Sequence, residues 1–152
     1  MSLSSLLRPL ALIAALLPVT VGCASLNDVV SAKHEGTAKI YETNFDQAWE
    51  AAKTTFRWEG SDAIEEHQED GYMLTSSGMN MVSWGTVMGA WVDVVDEERC
   101  EVTVVTKRRM AVNVATTLTE TTFHETFAKA LEILKSGEKL PLSKPEDESE
   151  SE

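Results

Sequence analysis

Few side chains in this sequence are spaced for chemistry. The three histidines, His34, His67 and His124, fall on a linker, a strand and a helix, with no metal-ligand spacing among them. His124-Glu125 opens an HExxH pattern, but Ala128 stands where the second imidazole is needed, which excludes that zinc site. Met79-Asn80-Met81 offers two thioethers of the kind that select Cu(I), yet no His or Cys lies near enough in sequence to complete a set. Cys100 alternates with Val102 and Val104 and reads as a small core residue. A Cys100–His124 nucleophile pair would need the fold to bring the two together and a third group to orient the imidazole, and nothing in the sequence supplies one. His124 itself reads as a surface residue beside Phe123, four residues from Glu120.

The acids Glu65-Glu66 and Glu69-Asp70 flank a turn signal, where carboxylates are ordinary, and nothing places two of them across a cleft as acid and base. Lys107-Arg108-Arg109 is the one basic cluster; three charges at a strand end make a solvated turn that also blunts a sheet edge. Phosphate-binding glycine loops, nucleophile elbows and dinucleotide fingerprints are absent from the sequence. The expectation is a protein that is not an enzyme, with no catalytic residue, no metal and no cofactor.

One stretch differs from its acidic surroundings. Gly78 to Val92 is free of charge and holds two tryptophans and three methionines. Trp and Met offer large, adaptable apolar area, so Met79, Met81, Trp84, Met88 and Trp91 form the candidate interaction surface. A central strand of a small sheet would have the same composition, and core packing stands beside contact as a reading. Strict alternation sends Trp84 and Trp91 to opposite faces, whereas a bulge at Gly85 or Gly89 would bring them together. Asp93 and the shortness of the run argue against a membrane helix built on the Gly85-Gly89 spacing.

The chain starts with one positive charge, Arg8, followed by an uncharged, mostly apolar run from Leu10 to Val21. A spanning helix needs about 20 apolar residues, so this run fits the core of a cleavable export signal. Next comes Thr20-Val21-Gly22-Cys23-Ala24-Ser25, which resembles the lipobox of bacterial lipoproteins. The resemblance implies that residues 1–22 are a signal peptide and that the Cys23 thiol takes a diacylglyceryl group before cleavage. Thr20 departs from the usual leucine and Val21 is bulkier than the common Ala or Ser, which leaves cleavage after Ala24 and a soluble periplasmic product as the alternative. Ala24 in the second mature position resembles sorting to the outer membrane, on its periplasmic face. Cysteine usage fits, since acylation of Cys23 leaves Cys100 without an intramolecular partner.

Net charge is −12, and removal of Arg8 makes the mature chain more acidic still. Nucleic acid and anionic lipid surfaces are therefore poor candidates as partners. Residues 23–37 read as a lipid-attached linker, and 137–152, ending in Glu-Asp-Glu-Ser-Glu-Ser-Glu, as a disordered acidic tail.

Between them, 38–136 is long enough for one core. Asn44 with Gln47 caps a helix whose Phe45, Trp49, Ala52 and Phe56 recur at helical spacing, and Gly60 ends it. Strand patterns cover Ala38 to Thr43, Asp62 to His67, Tyr72 to Ser76, Val82 to Val95 and Glu101 to Thr106, with hairpin turns at Asp70-Gly71 and Asp96 to Arg99; Met110 to Val114 is a further candidate strand. A second helix has two candidate starts, Thr117 with Glu120 and Thr122 with Glu125, and a stripe of Phe123, Phe127, Ala130, Leu131 and Leu134. Each helix shows a single apolar face. The predicted fold is α+β, a two-layer sandwich in which an antiparallel sheet of about five strands is covered by two helices.

The order of these elements, Tyr41 through Trp49 and Ala52, Asp70-Gly71, the Val-rich hairpin and the helix from Phe123 to Leu134, resembles the small domains of bacterial envelope lipoproteins of unknown function. More distantly it is similar to the helix-grip domains of the accessory lipoprotein of the outer-membrane β-barrel assembly machinery. The resemblance implies a fold and an envelope location, and it carries no catalytic residues. The expected function is that of a membrane-tethered periplasmic interaction or accessory domain with a protein partner. The alternative is a domain that holds a small apolar ligand in a cavity lined by Trp49, Phe56, Phe123 and Phe127.

Overall fold

The computed structural model describes residues 25–77, 85–108 and 119–145. Residues 1–24 with Cys23, the positions Met79, Met81 and Trp84, and the candidate strand from Met110 to Val114 lie outside them. Five strands, β1 (Thr37–Glu42), β2 (Ser61–His67), β3 (Tyr72–Ser77), β4 (Thr86–Asp96) and β5 (Arg99–Arg108), form one antiparallel sheet in the order β1-β5-β4-β3-β2. The predicted α+β class is the class found.

Strands β2 to β5 form a meander. β1 joins its far side against β5, so helix α2 (Phe45–Trp58) carries the chain across the sheet from one edge strand to the other. Asn44 starts α2 by accepting from the Gln47 N–H at 2.9 Å, while the Gln47 amide takes the Thr43 hydroxyl. At the β2–β3 connection a single 3-10 turn ends on Gly71 at φ 72°, the left-handed geometry that the Asp-Gly pair foretells. Asp96 closes the β4–β5 turn by accepting from the Glu98 N–H and the Arg99 guanidinium. Helix α3 (Glu120–Lys135) begins at neither expected site: Thr119 is its cap, accepting from the Thr122 N–H at 3.2 Å.

Period-two alternation sorts β4 between two cores. Met88, Ala90 and Val92 face α2 and α3, together with Trp49, Phe56, Phe123 and Phe127. Val87 and Trp91 face the other way with Leu74 and Val105. That second face is covered by an element that the sequence pattern assigns to a linker, helix α1 (Leu26–Ser31), whose Val29 is fully buried against it. A capping box starts α1, with Ser25 and Asp28 bonding each other's backbone N–H. Gly89 is the floor beneath it: a Cβ there would lie 2.7 Å from both Val29 Cγ1 and the Trp91 indole.

The described part of the expected tail, up to residue 145, is corrected in the same way. Residues 138–145 lie along the outer side of the helices: Leu140 packs on the core, the Trp58 indole donates to the Pro141 carbonyl at 3.0 Å, and Lys144 reaches Glu59 at 3.1 Å. Glu59, a largely buried carboxylate that also accepts from the Thr126 hydroxyl, gives this segment its reason to order. No helix among the described residues is long and apolar enough to cross a membrane.

Candidate functional site

The candidate interaction surface is overturned at the two of its positions that the structure describes. Met88 is 1% exposed and Trp91 5%. β4 is central in the sheet and helices lie on both of its faces, so each side of the strand needs apolar side chains and neither is left to bind a partner. The other three, Met79, Met81 and Trp84, lie outside the described residues, as does Cys23.

His124 is also relocated, from the surface to the core, at 1% exposure. Its Nε2–H donates to the Thr37 carbonyl at 3.0 Å, which leaves Nδ1 as acceptor for the Tyr41 hydroxyl at 2.9 Å. Burial holds its pKa below 6.5, and the Lys39 charge acts in the same direction, so the ring is neutral. Burial likewise pushes the Tyr41 phenol up to about 12. One turn earlier on α3, Glu120 accepts from the Thr37 N–H and hydroxyl and from the Thr106 N–H. Thr106 lies two residues beyond the last β1–β5 pair, so the carboxylate takes over where β1 has not yet begun. Glu120 and His124 together occupy the backbone groups of Thr37 on an edge strand, which would otherwise be open to another chain.

Tyr41 is the cross-strand partner of Cys100, so the fold does bring Cys100, Tyr41 and His124 into one neighbourhood. The arrangement has no nucleophile. The Cys100 thiol is buried and its pKa is raised, first by burial and then by the Asp96 charge, while both imidazole nitrogens are occupied by the core. The remaining candidates are similarly engaged: His67 stacks on Tyr72 and bonds Glu65, Glu66 takes the Trp49 indole N–H and Lys53, and Lys107 pairs with Glu35. Among the described residues no group of His, Cys, Asp and Glu could hold a metal ion. Trp49, Phe56, Phe123 and Phe127, proposed walls of a ligand cavity, are each at most 1% exposed and pack as a filled core, Phe56 against Phe123 at 5.0 Å between ring centres.

What the fold presents to solvent lies at the β4–β5 turn. A cavity of about 800 Å³ opens there between Asp96 to Arg99, Glu42 and Asn44 before α2, and Lys135 at the end of α3. The neighbouring strand residues Ile40, Val94 and Val95 are 55%, 62% and 46% exposed. Val94 shares a row with Cys100 and Tyr41, and Ile40 stands in the next row. Arg99 holds the Asp96 carboxyl below its ordinary pKa, so that acid is ionised throughout the neutral range. The surface combines carboxylates with Val94 on the helix side of the sheet, Ile40 pointing to the α1 side. The sequence offers a signal for it in the charged run Asp96-Glu97-Glu98-Arg99, which by pattern alone is only a connector.

The chain matches no known family model, no curated protein and no solved structure.

Proposed function

We propose that this chain is an exported lipoprotein, anchored through Cys23 on the periplasmic face of the outer membrane, whose α+β domain binds a protein partner. The observation that carries the reading is the apolar run Leu10 to Val21 followed at once by Gly22-Cys23. Binding is preferred to catalysis because the titratable groups drawn together by the fold are enclosed and hydrogen-bonded in its core. The contact surface best supported is the β4–β5 end, where Glu42, Asp96, Glu97 and Glu98 suit a partner carrying Lys or Arg.

Intact-mass analysis of protein purified from bacterial membranes tests the anchor. The expected species starts at residue 23 and carries diacylglyceryl and fatty-acyl mass, and Cys23→Ser releases the protein from the membrane. Full-length chain in the cytosol, with Met1 attached and Cys23 free, would sink the proposal. Reversal of Glu97 and Glu98 to Lys, which leaves the turn-closing Asp96 in place, should abolish cross-linking to the partner in intact cells without loss of folding; unchanged cross-links would move the contact surface elsewhere.

A further inference from the structure

We infer that in the anchored protein the sheet face carrying α1 lies against the phospholipid headgroups. This rests on the acylation of Cys23 proposed above. α1 is fixed to the domain by Val29 and Ala32 in the second core, and by Lys33 just after it, which reaches Asp93 at 2.7 Å. Only Ala24 separates Cys23 from the cap residue Ser25. Consecutive Cα atoms are 3.8 Å apart, so anchor and cap are at most about 8 Å from each other. The 15-residue linker expected from sequence would have reached about 50 Å.

Such a short tether fixes orientation as well as distance. If the α2–α3 layer faced the bilayer, the start of α1 would be lifted by the thickness of the intervening layers, on the order of 20 Å, which two residues cannot span. The charge on the α1 face agrees. Its bases are matched by acids, Lys33 with Asp93 and Lys107 with Glu35, and Asp28 on α1 and Glu101 beside Asp93 add further negative charge. The domain is thus held at the surface by its anchor and not by attraction to anionic lipid. Its partner is met within a domain's thickness of the membrane.

Energy transfer from single fluorescent labels to acceptor-labelled headgroups tests this in phosphatidylcholine vesicles holding the full acylated protein. Labels are placed at Val30→Cys on α1 and at Leu142→Cys in the segment beyond the helices, both exposed in the parent chain; acylated Cys23 and buried Cys100 do not react. Ser31→Cys serves as a second α1 position should Val30→Cys fold poorly. The α1 labels should transfer more efficiently than the Leu142 label, and a Gly-Ser-rich insertion of about ten residues between Ala24 and Ser25, long enough to exceed the thickness of the layers, should remove the difference. Equal transfer from the two sites in protein of verified acylated mass would overturn the orientation and leave the anchor standing. An unacylated Cys23 would instead overturn the anchoring reading and this one with it.

Discussion

Gly89→Ala is the substitution that most directly tests whether α1 is seated on the sheet. An added Cβ would fall 2.7 Å from Val29 Cγ1 and 2.7 and 2.8 Å from two atoms of the Trp91 indole, well inside van der Waals contact. Val29 and Trp91 are both buried, so relief requires α1 to lift or the indole to turn from its packing. Overpacking of this kind costs about 1–3 kcal/mol. Val29→Ala alone removes two buried methyl groups and leaves a void, a loss of about 2 kcal/mol. In the double variant one of the close contacts is gone while those to Trp91 persist, so its cost should fall short of the sum by about 0.5 kcal/mol or more. Urea unfolding followed by tryptophan fluorescence reads all four chains, with an unchanged denaturant slope as the check that the folded and unfolded states are the same. Two single variants within about 0.5 kcal/mol of the parent, the range of substitutions away from structural features, would refute the seating of α1. The orientation at the membrane would fall with it.

Acid should loosen the grip of α3 on β1. His124 is held below its ordinary pKa of 6.5 when folded, so as pH falls the unfolded chain takes up the proton first. Its stabilising contribution is therefore present above about pH 6.5 and is lost as pH drops from there through the folded-state value. His124→Leu should flatten the stability curve between pH 7 and 5, and an undiminished slope in that variant would exclude this residue as its source. Trp91→Ser should cost about 3–5 kcal/mol in the same urea assay, as for a buried Trp, whereas a near-neutral result would return it to the surface. Truncation after Gly137 removes Leu140, the Pro141 acceptor and Lys144; loss of about 1–2 kcal/mol and a shifted Trp58 emission are expected, and an unchanged midpoint would show the segment to be idle.

The sheet was legible because its strands carry period-two alternation and its turns carry Asp-Gly or charged punctuation, and Trp49, Phe56, Phe123 and Phe127 repeat at helical spacing over several turns. α1 escaped because six residues are too few for a periodicity to accumulate. Its one local signal was the spacing of Ser25 and Asp28. Met88 and Trp91 were misjudged for a related reason: an apolar strand looks the same whether its second face meets a partner or a short helix of its own chain. The role of His124 depends on Thr37 and Tyr41, more than eighty residues earlier, and Glu120 matches half of a capping box when its carboxylate instead spans to β1 and β5. Long-range polar partners of this kind leave no trace in local pattern.

The place of α1 in the chain also bears on the order of assembly. The ribosome makes it ahead of every strand, yet its seat is built from Leu74, Val87, Trp91 and Val105, the nearest of them 45 positions after Val29. The first of the described elements to be synthesised therefore docks late, because a helix of six residues does not persist alone and must wait for β3, β4 and β5 to zip together. If Cys23 is acylated as proposed, Ser25 and its neighbours are still slack thread when the acylating enzyme arrives. Closure of the fold afterwards would then draw that thread tight and winch the body of the protein down to its lipid.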